Sequence, residues 1–410
     1  MTSTPPASHR VSRPEFIALI AALMALNSLA IDIMLPALPR MGEALGVANA
    51  NDNQFVLTAY LIGFGVAQLF FGPISDRYGR RIPLFVGIAV YILAAAAAAI
   101  APTFETLLAL RFVQGLGAAA TRVIAQSAVR DRFEGRGMAE VMSLVFMVFM
   151  VIPIVAPTIG QLVLFTGHWQ MIFLFMAFLA VVVGVWAYIR LDESLPVSRR
   201  RPLQFAIIVE GFRLVLTNRS AIFYGLSGMF VMGGLFGFIN TSPQIYLTIY
   251  GLGEWFPVAF AFVAATMSLS SFLNSRIVRR LGMRRVAHGA LTAFILFSGI
   301  FAILAWFGDL PFWAFMVVFT AIMFTFGHLG SNSQALSMEP LGEVAGTASS
   351  VFGFLQTVGG AAIGALIGHA FNGTLLPVAL GFFALSITAL ICMLIAEKGK
   401  LFGVSSQYKA

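Results

Sequence analysis

The sequence predicts an all-α integral membrane protein, with twelve transmembrane helices arranged as two pseudo-symmetric six-helix bundles. Three observations carry that prediction. The composition is strongly apolar, twelve apolar runs are long enough to cross a bilayer, and a basic motif recurs at equivalent loops of the two halves. Hydrophobic residues make up 59% of the 410 residues and charged residues only 10%, with a mean hydropathy of +0.92. A soluble domain carries about 25% charged and about 45–50% apolar residues, so this chain is built for lipid.

Crossing the hydrocarbon core takes about 20 apolar residues in a helix. Such runs lie at 15–38, 54–73, 82–101, 105–127, 139–164, 169–190, 220–247, 254–275, 287–306, 311–333, 345–369 and 374–396. Lipid offers backbone N–H and C=O groups no partner, so a spanning segment is a helix or belongs to a closed barrel. Runs this long without apolar/polar alternation are helices. His9, Arg10 and Arg13 before the first run could mimic a signal peptide, but the run is too long for an h-region and lacks a small-x-small cleavage site. It is kept as the first span.

The net charge of +8 follows topology rather than a nucleic-acid partner. With the N-terminus inside, 22 of the 25 Lys and Arg residues fall on cytoplasmic segments, clustered in 1–14, 74–81, 128–138, 190–219, 276–285 and 397–410. The exceptions are Arg40 on a predicted outer loop and Arg111 and Arg122 within the fourth span. This is the positive-inside pattern, and it places both termini in the cytoplasm. Trp169, Trp255, Trp306 and Trp313 stand at predicted outer ends, where interfacial anchors belong. The single cysteine, Cys392, excludes an internal disulfide.

Six runs precede the polar interval 191–219, which contains "SRRRP", and six follow it. The expected organisation is an N-terminal bundle over 1–190, a cytoplasmic linker over 191–219, and a C-terminal bundle over 220–410. "GPISDRYGRR" (72–81) after the second run and "SRIVRRLGMRR" (275–285) after the eighth align at Gly79 and Gly282, which also pairs Arg77 with Arg280 and Arg81 with Arg284. Arg279 stands where the first copy has Asp76, so the halves have diverged. In transporters built from such repeats, the substrate site lies between the repeats near the bilayer midplane.

Several stretches resemble one family. "GPISDRYGRRIPL" (72–84) resembles the loop 2–3 motif of major-facilitator proteins, and "LALRFVQGLGAAA" (108–120) their fourth-helix Arg motif. "PIVAPTIGQ" (153–161) is similar to the fifth-helix antiporter motif of drug exporters, with Ala156 and Gln161 replacing two expected glycines. With "AIDIMLPALP" (30–39) and "GTASSVFGFLQTVGGAAIG" (346–364), the chain resembles the Bcr/CflA group of bacterial drug/proton antiporters across essentially all twelve spans. The resemblance implies a major-facilitator fold in the bacterial inner membrane. It also implies proton-coupled export of small hydrophobic compounds of the chloramphenicol or bicyclomycin kind, with no cofactor, and a monomer.

The resemblance also implies site roles. Gly72, Asp76, Arg77, Gly79, Arg80, Arg81 and Asp131 would form a cytoplasmic gating network, with Asp76 meeting the start of span eleven near Ala345. A carboxylate suits the positive N-terminus of a helix, while Arg77 and Arg81 serve equally well as plain positive-inside residues. Pro153 and Pro157 remove backbone donors and kink span five, with Gly160 beside them. Kinked membrane helices are common, and only the resemblance ties this one to export. Gly360, Gly364 and Gly368 form a ridge suited to close helix packing.

Asp32 is the only acidic residue well inside any run. An Asp at a helix centre costs roughly 2.5–3.5 kcal/mol on insertion, so it should face the bundle interior or a wet cavity and have a partner. Ala21, Ala25 and Ser28 precede it at helical spacing and leave room for water or ligand. Asp32 lies six residues before the outer end of its run and Arg111 six after the outer start of its own, both about 9 Å from the same surface. The resemblance implies that spans one and four are neighbours, so Asp32 paired with Arg111 is the expected proton-coupling group, with a permanent structural ion pair as the alternative. Arg122 follows Arg111 about 20° round the helix and about 16 Å further in. Gln114, Ala118 and Gln126 lie near that line. Ser28, Gln114, Ala118, Arg122, Asn240, His328 and Asn332 are the candidate cavity residues, although His328, Asn332 and Asn240 suit satisfied interior positions at least as well.

There is no GxxxxGK[ST] loop, HExxH or GxSxG, and the five histidines show no metal-ligand spacing. ATP hydrolysis and the common hydrolase chemistries lack residues, so no enzyme is expected, and lipid, protons and a small hydrophobic substrate are the expected partners. A nutrient/proton symporter remains the second transport reading, and a non-transporting receptor or scaffold the third.

Overall fold

The computed structural model describes residues 11–133, 135–200, 205–308 and 310–402. His9, Arg10, Arg201 and the chain beyond 402, which carry part of the basic clusters, lie outside the described residues. Helix follows helix throughout: α1 (Arg13–Asp32), α2 (Leu38–Ala44), α3 (Phe55–Tyr78), α4 (Arg81–Ala98), α5 (Phe104–Arg132), α6 (Gly135–Leu164), α7 (Gln170–Arg190), α8 (Phe205–Thr217), α9 (Arg219–Pro243), α10 (Phe256–Leu281), α11 (Met283–Trp306), α12 (Phe312–Met338), α13 (Ala345–Phe354), α14 (Gly360–His369) and α15 (Leu376–Ala396). Among the described residues, eleven helical segments are long and apolar enough to cross a membrane. Helix α6 adds 30 residues with a shorter apolar part at Val151–Leu164, at the place of the fifth apolar run expected between α5 and α7. This is a multi-pass membrane protein. Its outward Phe70, Leu93, Phe178, Phe262, Val317 and Leu366 are exposed, as a lipid-facing belt requires.

Local chemistry fixes the helix ends. Ser12, Thr103 and Asn218 accept N–H bonds at the starts of α1, α5 and α9, each supplying an orphan donor of the first turn with a partner. Gly79 ends α3 at φ +89° and Gly282 ends α10 at φ +79°. Only glycine adopts this backbone without strain. The aligned glycines of the two sequence copies thus make the same turn.

Two spans are less regular than the sequence suggests. The first run does not continue as one helix to 38: α1 stops at Asp32, a 3₁₀ turn covers Leu35–Ala37, and α2 follows. The eleventh run is broken into α13 and α14 by a π-helical turn at Leu355–Gly359. The interval 191–219 is more than a linker. Its α8 lies between the two sets of six spans and packs on α9 and α13, where Val215, Ala221, Leu341, Ala348, Val351 and Phe352 form a small core of their own.

Helices α1, α3–α7 pack on one another, and so do α9–α15. Contact between the two sets runs mainly through α3 against α13 and α14, and α6 against α10. The ridge residues Gly360 and Gly364 press onto α9, where an added methyl would lie 3.1 Å from Met232 and 2.7 Å from Phe236. We call the side carrying Gly79, Gly282 and α8 the basic face, and the other the opposite face.

Candidate functional site

Asp32 is the last residue of α1, where the helix gives way to the 3₁₀ turn. It is 3% exposed. One carboxyl oxygen faces the Ser28 hydroxyl, which donates to Oδ2 at 3.4 Å. The other, Oδ1, is buried without a hydrogen-bond partner. Helix α6 closes on the chain immediately after it. A methyl on Gly160 would lie 1.9 Å from the Ile33 carbonyl, so Gly160 serves close approach to the end of α1 rather than the kink assigned from sequence. Pro153 and Pro157 are accommodated inside a continuous α6.

The expected pairing of Asp32 with Arg111 is absent. Arg111 is fully buried and spends its donors elsewhere: Nε donates to the Val56 carbonyl at 3.1 Å, one terminal nitrogen to Gln114 Oε1 at 2.6 Å, and the other to the Ala30 carbonyl at 3.0 Å. Its guanidinium stacks over the Tyr60 ring at 4.4 Å. Arg111 therefore ties α1, α3 and α5 together two residues before Asp32. Equal depth in the membrane placed the two side chains in one layer, but the rigid fork found three acceptors and a ring before it found a carboxylate. Tyr60 donates to Asn27 Oδ1 at 3.2 Å, and Asn27 donates to Thr121 Oγ1 at 2.8 Å. Sequence reasoning passes over Asn27, Tyr60 and Thr121 because neutral residues in apolar runs give no charge signal.

The other cavity candidates separate into two groups. Gln114 Nε2 and both amide atoms of Asn240 are buried without hydrogen-bond partners, and Arg122 is partly exposed, its guanidinium 5.8 Å from the Phe64 ring centre. His328 and Asn332, by contrast, are engaged between α10 and α12. Ser270 Oγ and His328 Nδ1 lie 2.7 Å apart, and Asn332 Nδ2 donates to Asn274 Oδ1 and to the His328 carbonyl, both at 2.7 Å. Ala118 is buried in α5.

On the basic face, Arg80 is the hub. It donates to Ser75 Oγ at 2.8 Å, to Asp76 at 2.6 Å and to Asp131 at 2.8 and 3.3 Å, and Ser194 donates to Asp131 at 2.8 Å. Glu193, not singled out from sequence, accepts the backbone N–H groups of Arg80 and Arg81 at 2.8 and 3.1 Å, a carboxylate on the positive end of α4. The expectation that Asp76 caps span eleven is corrected: α13 starts with no side-chain cap, and Asp76 is held by Arg80. Gly72 does face α13, with Ser350 3.9 Å from where a methyl would sit. Arg77 is exposed, and Arg81 donates to the Tyr188 carbonyl at 2.9 Å. In the second copy Arg284, which aligns with Arg81 rather than with the hub Arg80, donates to Glu397 at 2.8 Å and to Glu339 at 2.9 Å.

On the opposite face the two sets of spans are bridged. Asn51 donates to the carbonyls of His369 and Phe371 at 3.2 and 2.6 Å and accepts from Gln244 at 2.5 Å. His369 and Asp52 lie 3.3 Å apart. Deeper in, Gln68 donates to Thr357 at 3.4 Å, in the π-helical turn. Among the described residues no group of three His, Cys, Asp or Glu side chains gathers as a metal site.

Comparison with known proteins agrees with this geometry. A family model described as Major Facilitator Superfamily matches residues 20–365. A bicyclomycin resistance protein homolog of Haemophilus influenzae is 31% identical over 353 residues, covering 86% of this chain and 88% of that protein. Multidrug resistance protein MdtL of Escherichia coli is 29% identical over 354 residues, covering 84% and 86%. The crystal structure of a D-xylose–proton symporter superposes with a TM-score of 0.70 at 14% identity, over 94% of this chain and 98% of that one.

Proposed function

We infer function from a membership that the family match and the relatives establish: this chain belongs to the Major Facilitator Superfamily. It is a transporter, not an enzyme. In our reading it is a proton-coupled antiporter that exports small hydrophobic drugs by alternating access, with the basic face cytoplasmic, in a bacterial inner membrane. The names of the relatives support a drug-resistance substrate class.

One observation carries the coupling: Asp32, deep in the bundle, has an orphaned buried oxygen and no cation within 4.0 Å among the described residues. Burying an ionised carboxylate without a partner costs several kcal/mol, and one long hydroxyl bond does not offset that. The neutral acid fits this geometry. With the opposite face bridged by Asn51 and Gln244, we read this conformation as the proton-loaded state closed to the outside. Opening toward the cytoplasm hydrates Asp32, which then ionises and frees the cavity for drug. Return to the outward state delivers drug outside and reloads Asp32. Arg111 positions the end of α1 through the Ala30 carbonyl and takes no proton. The six spans on either side of α8 move as the two bodies, and the Arg80 and Arg284 networks brace the cytoplasmic ends. The test is drug-induced proton release from purified protein, which Asp32→Asn should abolish.

A further inference from the structure

Among the described residues no anion pairs with the Arg122 cation. It lies on α5, about 27 Å along the helix from Phe104 and about 15 Å before Arg132. It makes no hydrogen bond or ion pair among the described residues, only the ring contact with Phe64 of α3. An arginine stays charged at every pH of interest, so something other than deprotonation must solvate it.

Lipid headgroups are on the wrong side. The lipid-facing residue of the same helix is the exposed Val113. Nine residues at about 100° each place Arg122 half a turn away from it. Arg122 is nevertheless partly exposed, while Thr121, Ile124 and Ala125 around it are buried. Its exposure is to the interior between the helices. One turn to either side of it stand Ala118, Ala119, Ala125 and Gln126, neighbours on the helix surface that are small or neutral. They place no competing carboxylate beside the guanidinium on its own helix. Phe64 offers an aromatic wall beside it.

We propose that Arg122 is the substrate's anion-binding group, so that the preferred cargo is an apolar molecule bearing a carboxylate or comparable anionic group rather than a neutral or cationic one. This rests on the export reading for its physiological meaning, but the binding preference stands on Arg122 alone. The planar fork suits a carboxylate bidentately, and Gln126 can add a donor. The same cation also disfavours cationic compounds by like-charge repulsion.

The experiment is equilibrium binding to the purified full-length protein in detergent, without any proton gradient, using coumarin-3-carboxylate and its ethyl ester as matched probes. Wild type should bind the acid about tenfold or more tightly than the ester, the ratio expected from one charge-assisted contact. Arg122→Gln should remove that preference by weakening acid binding while leaving ester affinity unchanged, and Arg122→Lys should keep part of it. An unchanged acid-to-ester ratio in Arg122→Gln would overturn the assignment. So would equal loss of both probes, or no saturable binding of the acid to wild type. Should the Gln variant not fold, the wild-type ratio together with Arg122→Lys decides the matter. Failure of drug-induced proton release would sink the antiport reading while leaving this ratio intact, so the two failures are distinguishable.

Discussion

Replacing Arg111 with Gln separates a structural tie from a coupling ion pair. The wild-type guanidinium makes three hydrogen bonds, to Val56, Gln114 and Ala30, each worth about 1.5–3 kcal/mol when charge-assisted. Part of that gain offsets the burial of the charge itself, which costs several kcal/mol. The variant relieves the charge but strands two backbone carbonyls, at about 1–3 kcal/mol each. The net expectation is a loss of about 3 kcal/mol, with a smaller loss for Arg111→Lys. Thermal unfolding of the purified protein in detergent measures it. The informative design is a double-mutant cycle with Asp32→Asn. Since the two side chains are not paired and meet only through the end of α1 at the Ala30 carbonyl, their coupling should stay below about 1.5 kcal/mol, and the pH dependence of proton release should survive Arg111→Gln. A variant as stable as wild type would refute the tie, and a coupling above about 1.5 kcal/mol would restore the ion pair.

Gly160→Ala places a methyl 1.9 Å from the Ile33 carbonyl, forcing α6 off the end of α1. A loss of about 1–3 kcal/mol and weakened resistance in an expressing host are expected, and unchanged melting and resistance would contradict the close approach. Arg80→Ala should reduce stability by about 2 kcal/mol, because Asp131 is then left with Ser194 alone. Asp76→Asn should have a smaller effect, since Asp76 is half exposed, and the reverse order in melting temperature would show that the hub is misassigned. Burial pushes the Glu397 carboxyl up, but hydrogen bonds from Tyr224 and Arg284 outweigh it and hold the group below its usual value. Its stabilising contribution is therefore present at neutral pH and lost as pH falls through that depressed value. Glu397→Gln should flatten the acid limb of the stability–pH curve, and an unaltered limb would assign acid sensitivity elsewhere.

The apolar runs made the number and order of spans readable, because lipid leaves backbone groups no alternative to a helix. The aligned Gly79 and Gly282 made the repeat readable, because both turns need the same positive φ. Asp32 was visible as the one acid inside a run. Its environment was not, because depth along a helix locates a layer and says nothing of which acceptors a neighbouring arginine meets first. Arg111 met Ala30, Val56, Gln114 and the ring of Tyr60. The capping by Glu193 was hidden for a different reason: it spans 113 residues to Arg80 and sits in a stretch that reads as solvent-exposed. The π-helical turn at Leu355–Gly359 breaks an apolar run with no proline or polar marker within it strong enough to predict it.

The claim that Asp32 carries the coupled proton is tested most directly by following pH in a weakly buffered solution of purified protein as drug is added. Wild type should release protons when drug binds, and Asp32→Asn should bind drug yet release none. Asp32→Glu, which still titrates, should release them at a shifted pH. Release from the Asn variant equal to wild type would place the carrier at another residue and leave Asp32 with a structural role only.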